Sequence, residues 1–372
     1  MKKNIQNKTF GSYIRELRIK NDIGQRELAQ KIGIAASYLN DIEKNKRAAP
    51  KITVIKKISL FLNAELDLLN DLAGSSKKGL APDIIDYIEK NPNIISLIRT
   101  AKNNNLAVDE IDQLELSINK SKTKSLIVAA GLGSRLKNHT ENTPKCMLDF
   151  GGKTLLQRQL TSYSECGIVD ISLVRGFKKS KINYKGIKYF DNDDYKNNNI
   201  LNSIFYAEEE INGNIIISYS DILFEPFIVQ RALDSDHDIS VVVDIDWKDY
   251  YINRKDHPLS EAENVIFNSN NEVVKIGKIA TEKEEVHGEF IGMIKLNHRG
   301  CKIFKENFHR VKKFFWNKPF QRAKIFQKAY LTDMIQELVD IGIKVHCVVI
   351  KRGWKEIDTV EDYKKALVEF NK

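Results

Sequence analysis

At 372 residues, 42% of them hydrophobic, the chain exceeds one ordinary domain and has material for two or three packed units. Its net charge of +9 is unevenly spread: residues 1–57 hold 14 Lys and Arg against 5 Asp and Glu, residues 58–120 are net acidic, and the remainder is nearly balanced. No apolar run reaches the ~18 residues of a membrane span, the first residues lack the apolar block of a signal peptide, and Cys146, Cys166, Cys301 and Cys347 lack paired spacing; a cytoplasmic protein with reduced thiols is expected.

Apolar residues at helical spacing predict helices over Phe10–Asn21, Gln25–Ile32 and Ala35–Lys44, then over about Ile52–Leu62 and Leu66–Leu72. Gly33 provides a sharp turn between the second and third. Short helix, glycine turn, short helix is the helix-turn-helix arrangement, whose second helix enters the DNA major groove. The basic excess of the same segment is the electrostatic footprint of a nucleic-acid partner. Through Leu17-Arg18, Gln25-Arg-Glu-Leu-Ala29, Gly33, Tyr38-Leu39, Ile42-Glu43 and Lys46-Arg47-Ala-Ala-Pro50, the segment resembles the Cro/C1-type (XRE) DNA-binding domains. That resemblance implies phosphate contacts from Gln25 and Arg26 and base contacts from Ala36, Ser37 and Asn40. It also implies a grip on the DNA backbone by Lys44, Lys46 and Arg47. Gly24 stands where the family usually has a Ser or Thr cap, a change that costs little. The competing reading of this scaffold is a helical protein-interaction module.

Leu72-Ala-Gly-Ser-Ser-Lys-Lys-Gly79 reads as a linker by composition. Pro82–Lys90, Pro92–Asn103 and Val108–Asn119 read as three short helices without chemistry of their own, a spacer or a dimerisation element. The expected domains are therefore an all-α helix-turn-helix unit over 1–73, a helical connector over 74–121 and a third domain over 122–372. A homodimer is expected.

The third domain opens on Leu126-Ile-Val-Ala-Ala-Gly-Leu-Gly-Ser-Arg-Leu136, followed by Thr143-Pro144-Lys145. An apolar run stopping at Gly131-Leu-Gly133 reads as a buried strand entering a turn whose backbone N–H groups can approach phosphates. Arg135 adds a planar cationic fork and Lys145 a second cation, a set suited to a nucleoside triphosphate. The turn lacks the third glycine of a dinucleotide fingerprint and the Gly-Lys-Ser/Thr end of a P-loop. Strand and helix then alternate through Ile171–Val174, Ile187–Phe190, Leu201–Glu210 and Asn214–Tyr219. This predicts an α/β, Rossmann-like, mostly parallel sheet that binds its ligand at the carboxyl ends of its strands.

Asp221 lies at such an end, and Asp358 follows far along the chain in Glu356-Ile-Asp-Thr359. Two converging carboxylates suit Mg²⁺. The run from Val128 to Lys145 and these two aspartates resemble the nucleotidyltransferases that activate small phosphorylated compounds. That implies catalytic roles for Arg135, Lys145, Asp221 and Asp358, with Mg²⁺ on the two aspartates. It further implies contacts to CTP or UTP from Ala129, Ala130, Gly131, Gly133, Ser134, Arg135 and Asn199. Asn198-Asn199-Ile-Leu-Asn-Ser203, Tyr219-Ser-Asp-Ile-Leu223, Val241 to Tyr250, Leu259-Ser-Glu-Ala-Glu263 and Glu289-Phe-Ile-Gly-Met293 look like the phosphocholine and 2-aminoethylphosphonate cytidylyltransferases. Ser220 and Lys137-Asn138-His139 depart from that pattern. An amine-bearing acceptor calls for carboxylates and an aromatic, for which Asp244, Asp246, Trp247, Glu263 and Glu289 are the candidates. The seven histidines show no metal spacing, and His139 and His287 read as surface or loop residues. The leading reading is a DNA-binding cytidylyltransferase. The alternative is a transcriptional regulator whose transferase-like domain senses a nucleotide or headgroup without turnover.

Overall fold

The computed structural model describes residues 8–370, apart from Asn63, Lys78, Asn253, Lys255 and 280–284. The chain divides into two compact units, Met1–Val108 and Asp109–Lys372, so the boundary falls inside the expected connector. None of the described helices is long and apolar enough to cross a membrane.

The first unit is all helical: α1 (Phe10–Lys20), α2 (Gln25–Ile32), α3 (Ala36–Glu43), α4 (Ile52–Leu62), α5 (Leu66–Ser76), α6 (Pro82–Lys90) and α7 (Asn93–Asn103). Thr9 and Ser12 cap α1 reciprocally, and Gly33, at φ 76°, closes α2 so that α3 can turn across it. One core holds Phe10, Ile14, Leu28, Leu39, Ile42 and Ile55, the positions at helical spacing in the sequence. Glu43 is buried in this unit. Its carboxylate takes Arg18 Nε at 2.7 Å and Nη2 at 2.9 Å and Gln25 Nε2 at 2.8 Å.

The expected linker is largely helix. The small residues Gly74-Ser75-Ser76 form the last turn of α5 because the chain doubles back tightly there, and a Cβ on Gly74 would come within 2.7 Å of Ala81 N. Only the short joint around Lys77 and Gly79 is non-helical among the described residues.

The second unit begins with α8 (Val108–Ser121) and β1 (Lys124–Ala129), then runs α9 (Leu155–Glu165), β2 (Ile171–Arg175), β3 (Ile187–Asp191), α10 (Ile200–Ile204), β4 (Ile215–Tyr219), β5 (Ile222–Phe224), α11 (Pro226–Leu233) and β6 (Ile239–Asp244). It continues with β7 (Asn264–Phe267), β8 (Val273–Gly277), β9 (Gly288–Leu296), α12 (His298–Phe315), α13 (Leu331–Asp340), β10 (His346–Ile350), β11 (Trp354–Glu356) and α14 (Val360–Phe370). The main sheet has the order β10-β6-β9-β4-β1-β2-β3 and is parallel except at β9, which runs antiparallel to β4 and β6. β7 and β8 join it through β9.

Both faces of this sheet are covered. Leu126 and Val128 of β1 enter one apolar cluster, and Ile127 and Ala129 enter the other. That is why the strand reads as an unbroken apolar run. The helix expected over Leu201–Glu210 is α10 followed by a 3₁₀ stretch to Glu210, with a kink at Ala207.

Candidate functional site

The carboxyl ends of β1 and β4 are adjacent, since β1 pairs with β4 in parallel, Val128 opposite Tyr219. β1 therefore delivers the glycine turn, and β4 delivers Asp221, to the same place. A second, two-stranded sheet finishes the site: β11 pairs antiparallel with β5, and Ile357 N donates to Asp221 O at 2.9 Å. This ribbon carries Asp358 to the side of Asp221. Asp362, at the start of α14, then fixes the turn by accepting from Asp358 N at 3.2 Å and Thr359 N at 2.8 Å. From α9, Gln159 Nε2 pins the segment bearing Asp221 by donating to Tyr219 O at 2.9 Å and Ile222 O at 2.6 Å.

The result is a cleft of about 370 Å³ lined by the β1 turn, Lys145, Asp221, Glu263 and Asp358 among others. Gly133 is left-handed (φ 62°), which folds the turn back so that Thr140 Oγ1 donates to its carbonyl at 2.8 Å. At Gly131 a Cβ would meet nothing within 4 Å, so the backbone there borders open cleft. Ala129, Ala130, Ser134 and Arg135 line the same wall.

Lys145 is buried, and its ammonium lies between two carboxylates: it donates to Asp221 Oδ2 at 2.7 Å and closely to Asp358 Oδ1. Burial works against that charge, but Asp221 and Asp358 hold it protonated well above the usual lysine range. Arg135, half-exposed, pairs with Asp358 Oδ2. Burial pushes the Asp358 carboxyl up, yet Lys145 and Arg135 outweigh it and hold the group at about 2. All four catalytic candidates thus converge. Asn199 lines the cleft as well, although its amide is engaged within the chain, accepting from Ile200 N at 2.9 Å and donating to Lys328 O at 3.2 Å.

The acceptor candidates divide. Glu263 lines the cleft, accepting from Thr332 Oγ1 at 2.6 Å and Tyr219 OH at 3.3 Å, and burial raises its carboxyl above the usual range. The other four do not line the cleft. Asp244 is buried and bonded to Asp246 N, Arg352 N and Trp354 Nε1, so it ties the β6 and β10 ends together. Asp246 is exposed and paired with Arg352 at 2.8 Å. Trp247 is 1% exposed in a small apolar cluster. Glu289 is buried on β9 against Tyr251 OH, and burial lifts its carboxyl to about 8.

Several residues of the cleft were not among the candidates, although Glu261 lies in the family-like stretch Leu259–Glu263. Glu261, Lys278, Tyr330 and His257 line the cleft, with Lys278 Nζ 2.5 Å from Glu261 Oε2. His257 is 2% exposed beside Glu356 and Asp358, and burial lowers it to about 4, leaving the ring neutral. His139 is exposed against the Tyr363 ring, and His287 Nδ1 accepts from Phe267 N at 3.1 Å.

On the first unit, Arg26, Ser37, Lys44, Lys46 and Arg47 are exposed and Asn40 is half-buried. Arg47 lies over the Tyr38 ring, 5.5 Å from its centroid, near Asp41. The Gln25 amide is spent on Glu43, and Ala36 packs against the helical core.

Residues 14–69 match the helix-turn-helix family model, and residues 125–265 match the MobA-like NTP transferase domain. The chain is 27% identical over 249 residues, 64% of its own length and 96% of the relative's, to the CTP:phosphoglutamine cytidylyltransferase of Campylobacter jejuni. It is 35% identical over 106 residues to the choline-phosphate cytidylyltransferase of Streptococcus pneumoniae, a match spanning 27% of this chain and 46% of that protein. The solved structure of the CTP:phosphocholine cytidylyltransferase from Streptococcus pneumoniae superposes with a TM-score of 0.51 at 20% identity, over 66% of this chain and 98% of that one, a likeness of fold.

Proposed function

We propose that this chain, a helix-turn-helix DNA-binding domain joined to a nucleotidyltransferase, transfers the cytidylyl group of CTP to a small phosphorylated amine, phosphocholine or 2-aminoethylphosphonate. The observation that carries this reading is the convergence of Arg135, Lys145, Asp221 and Asp358 beside a glycine turn that borders an open cleft. The turn's backbone N–H groups and Arg135 would hold the triphosphate. An acceptor oxygen, already anionic at neutral pH, attacks the α-phosphorus; the bond from that phosphorus to the bridging oxygen breaks, and pyrophosphate leaves with the electron pair. No general base is required. Lys145 would place a positive charge where negative charge accumulates on the reacting phosphates.

The site suits a divalent cation. Asp221 and Asp358 already share a cation, the Lys145 ammonium, and Asp221 Oδ1 is buried with no hydrogen-bond partner. These are hard oxygen donors of the kind Mg²⁺ takes. Asp221 and Asp358 would hold it, and when bound it neutralises charge on the triphosphate and the departing pyrophosphate.

Glu263 is the group best suited to an acceptor's ammonium, since burial disfavours its charged form and a cation beside it would restore that form. Full-length protein with Mg²⁺, each nucleoside triphosphate and a panel of phosphocholine, 2-aminoethylphosphonate, phosphoglutamine and sugar phosphates is assayed for pyrophosphate. Release only with CTP and one amine-bearing acceptor is expected; release with sugar phosphates alone would overturn the acceptor assignment.

The first unit is proposed to read a dyad-symmetric operator as a homodimer, with Asn40 on a base edge and Lys46 and Arg47 on phosphates. Exposed Ile84, Ile85, Leu97 and Ile98 on α6 and α7 support self-association. Asn40→Ala should cost roughly 1–3 kcal/mol on the specific duplex with the salt dependence unchanged. Lys46→Ala or Arg47→Ala should weaken all duplexes alike and reduce the salt slope by about one. The check is a binding titration at several salt concentrations on specific and scrambled duplexes. Equal weakening on both duplexes by Asn40→Ala would remove the groove assignment.

A further inference from the structure

Asp358 presents its two oxygens to different neighbours. Oδ1 accepts from Lys145, whereas Oδ2 faces Arg135 and lies 3.5 Å from His257 Nδ1. The other ring nitrogen, Nε2, is 3.6 Å from Glu356 Oε2. One donor atom from each of His257, Glu356 and Asp358 lies within 4.8 Å of the others. His257 is 2% exposed, and its Nδ1 is buried with no hydrogen-bond partner. Asp358 Oδ2, 3.5 Å away, makes no hydrogen bond with it, and buried polar atoms are almost always satisfied, so this nitrogen is left available to a ligand.

The surroundings hold these groups ready. Arg254 donates through Nε to Asp362 at 2.8 Å and reaches Glu356 Oε2 at 3.4 Å through Nη2, while Asp362 fixes the Asp358 backbone. Such partners orient ligand groups before a metal arrives. Arg135, which covers Asp358 Oδ2, is half-exposed on the wall of the cleft.

We infer that His257, Glu356 and Asp358 form a second divalent-cation site, sharing Asp358 with the pair Asp221–Asp358 but lying on its other oxygen. An imidazole between carboxylates suits Mn²⁺, Co²⁺ or Zn²⁺, whereas Mg²⁺ takes oxygen donors and keeps its waters. The two sites therefore differ in metal preference as well as in position.

The test uses tag-free, full-length protein with Mn²⁺ and no nucleotide, so its outcome is independent of whether CTP is the substrate. Electron spin-echo envelope modulation of the bound Mn²⁺ should show coupling to an imidazole nitrogen in the wild type and in Asp221→Asn. His257→Gln should lose that coupling and bind Mn²⁺ roughly tenfold or more weakly. Absence of nitrogen coupling in the wild type, or its persistence in His257→Gln, would overturn the site whatever the variant's stability. Loss of coupling in Asp221→Asn would overturn the separation of the two sites.

Discussion

Replacing Asp221 or Asp358 by asparagine is expected to lower pyrophosphate release by on the order of a thousandfold or more, with the fold retained. Each change keeps the side chain's shape and removes the charge proposed to hold the cation that neutralises the triphosphate. The backbone around them is anchored independently, by Gln159 on one side and Asp362 on the other. Circular dichroism should therefore be unchanged, while Asp358→Asn should lower the melting temperature at neutral pH, because it removes a carboxylate that stabilises the fold there. Near-normal pyrophosphate release from either variant would sink the assignment. Asp358→Asn should also change the acid behaviour. A carboxyl held at about 2 in the folded state stabilises above its ordinary value near ~3.9, and that contribution disappears as the pH falls through the folded value. The asparagine variant should lose less stability than wild type between about pH 4 and pH 2.

Glu43→Ala is expected to destabilise the helical unit by roughly 3–5 kcal/mol, because it leaves the Arg18 guanidinium without its carboxylate in a mostly buried position. Glu43→Gln should be milder, since an amide oxygen still accepts one guanidinium bond. The two units have separate cores, so the effect should be confined. In denaturant titrations of the full chain the transition of the helical unit should shift to lower concentration. DNA binding should fall while pyrophosphate release is retained. An unmoved helical transition in Glu43→Ala would show that this ion pair contributes nothing net.

The sequence by itself determined the helices of the first unit and the strand that ends in a glycine turn, with the cations Arg135 and Lys145 shortly after it. Each depends on neighbours a few residues away: helical spacing of Phe10, Ile14 and Leu28, an unbroken apolar run at Leu126–Ala129, and a cation directly after Pro144. Asp221 and Asp358 were legible as a pair through their resemblance to motifs, not through spacing, since their proximity is made by the pairing of β5 with β11. Tertiary structure alone decided which polar residues face the cleft. Asp244 and Glu289 look like ligands in sequence and are buried between strands. His257 and Lys278 were not singled out in the sequence and line the cleft, because a side chain's destination there depends on which distant segment packs over it. The same holds for Gln25, whose amide turns inward because Glu43, an acceptor from another helix, needs more hydrogen bonds than Arg18 alone provides.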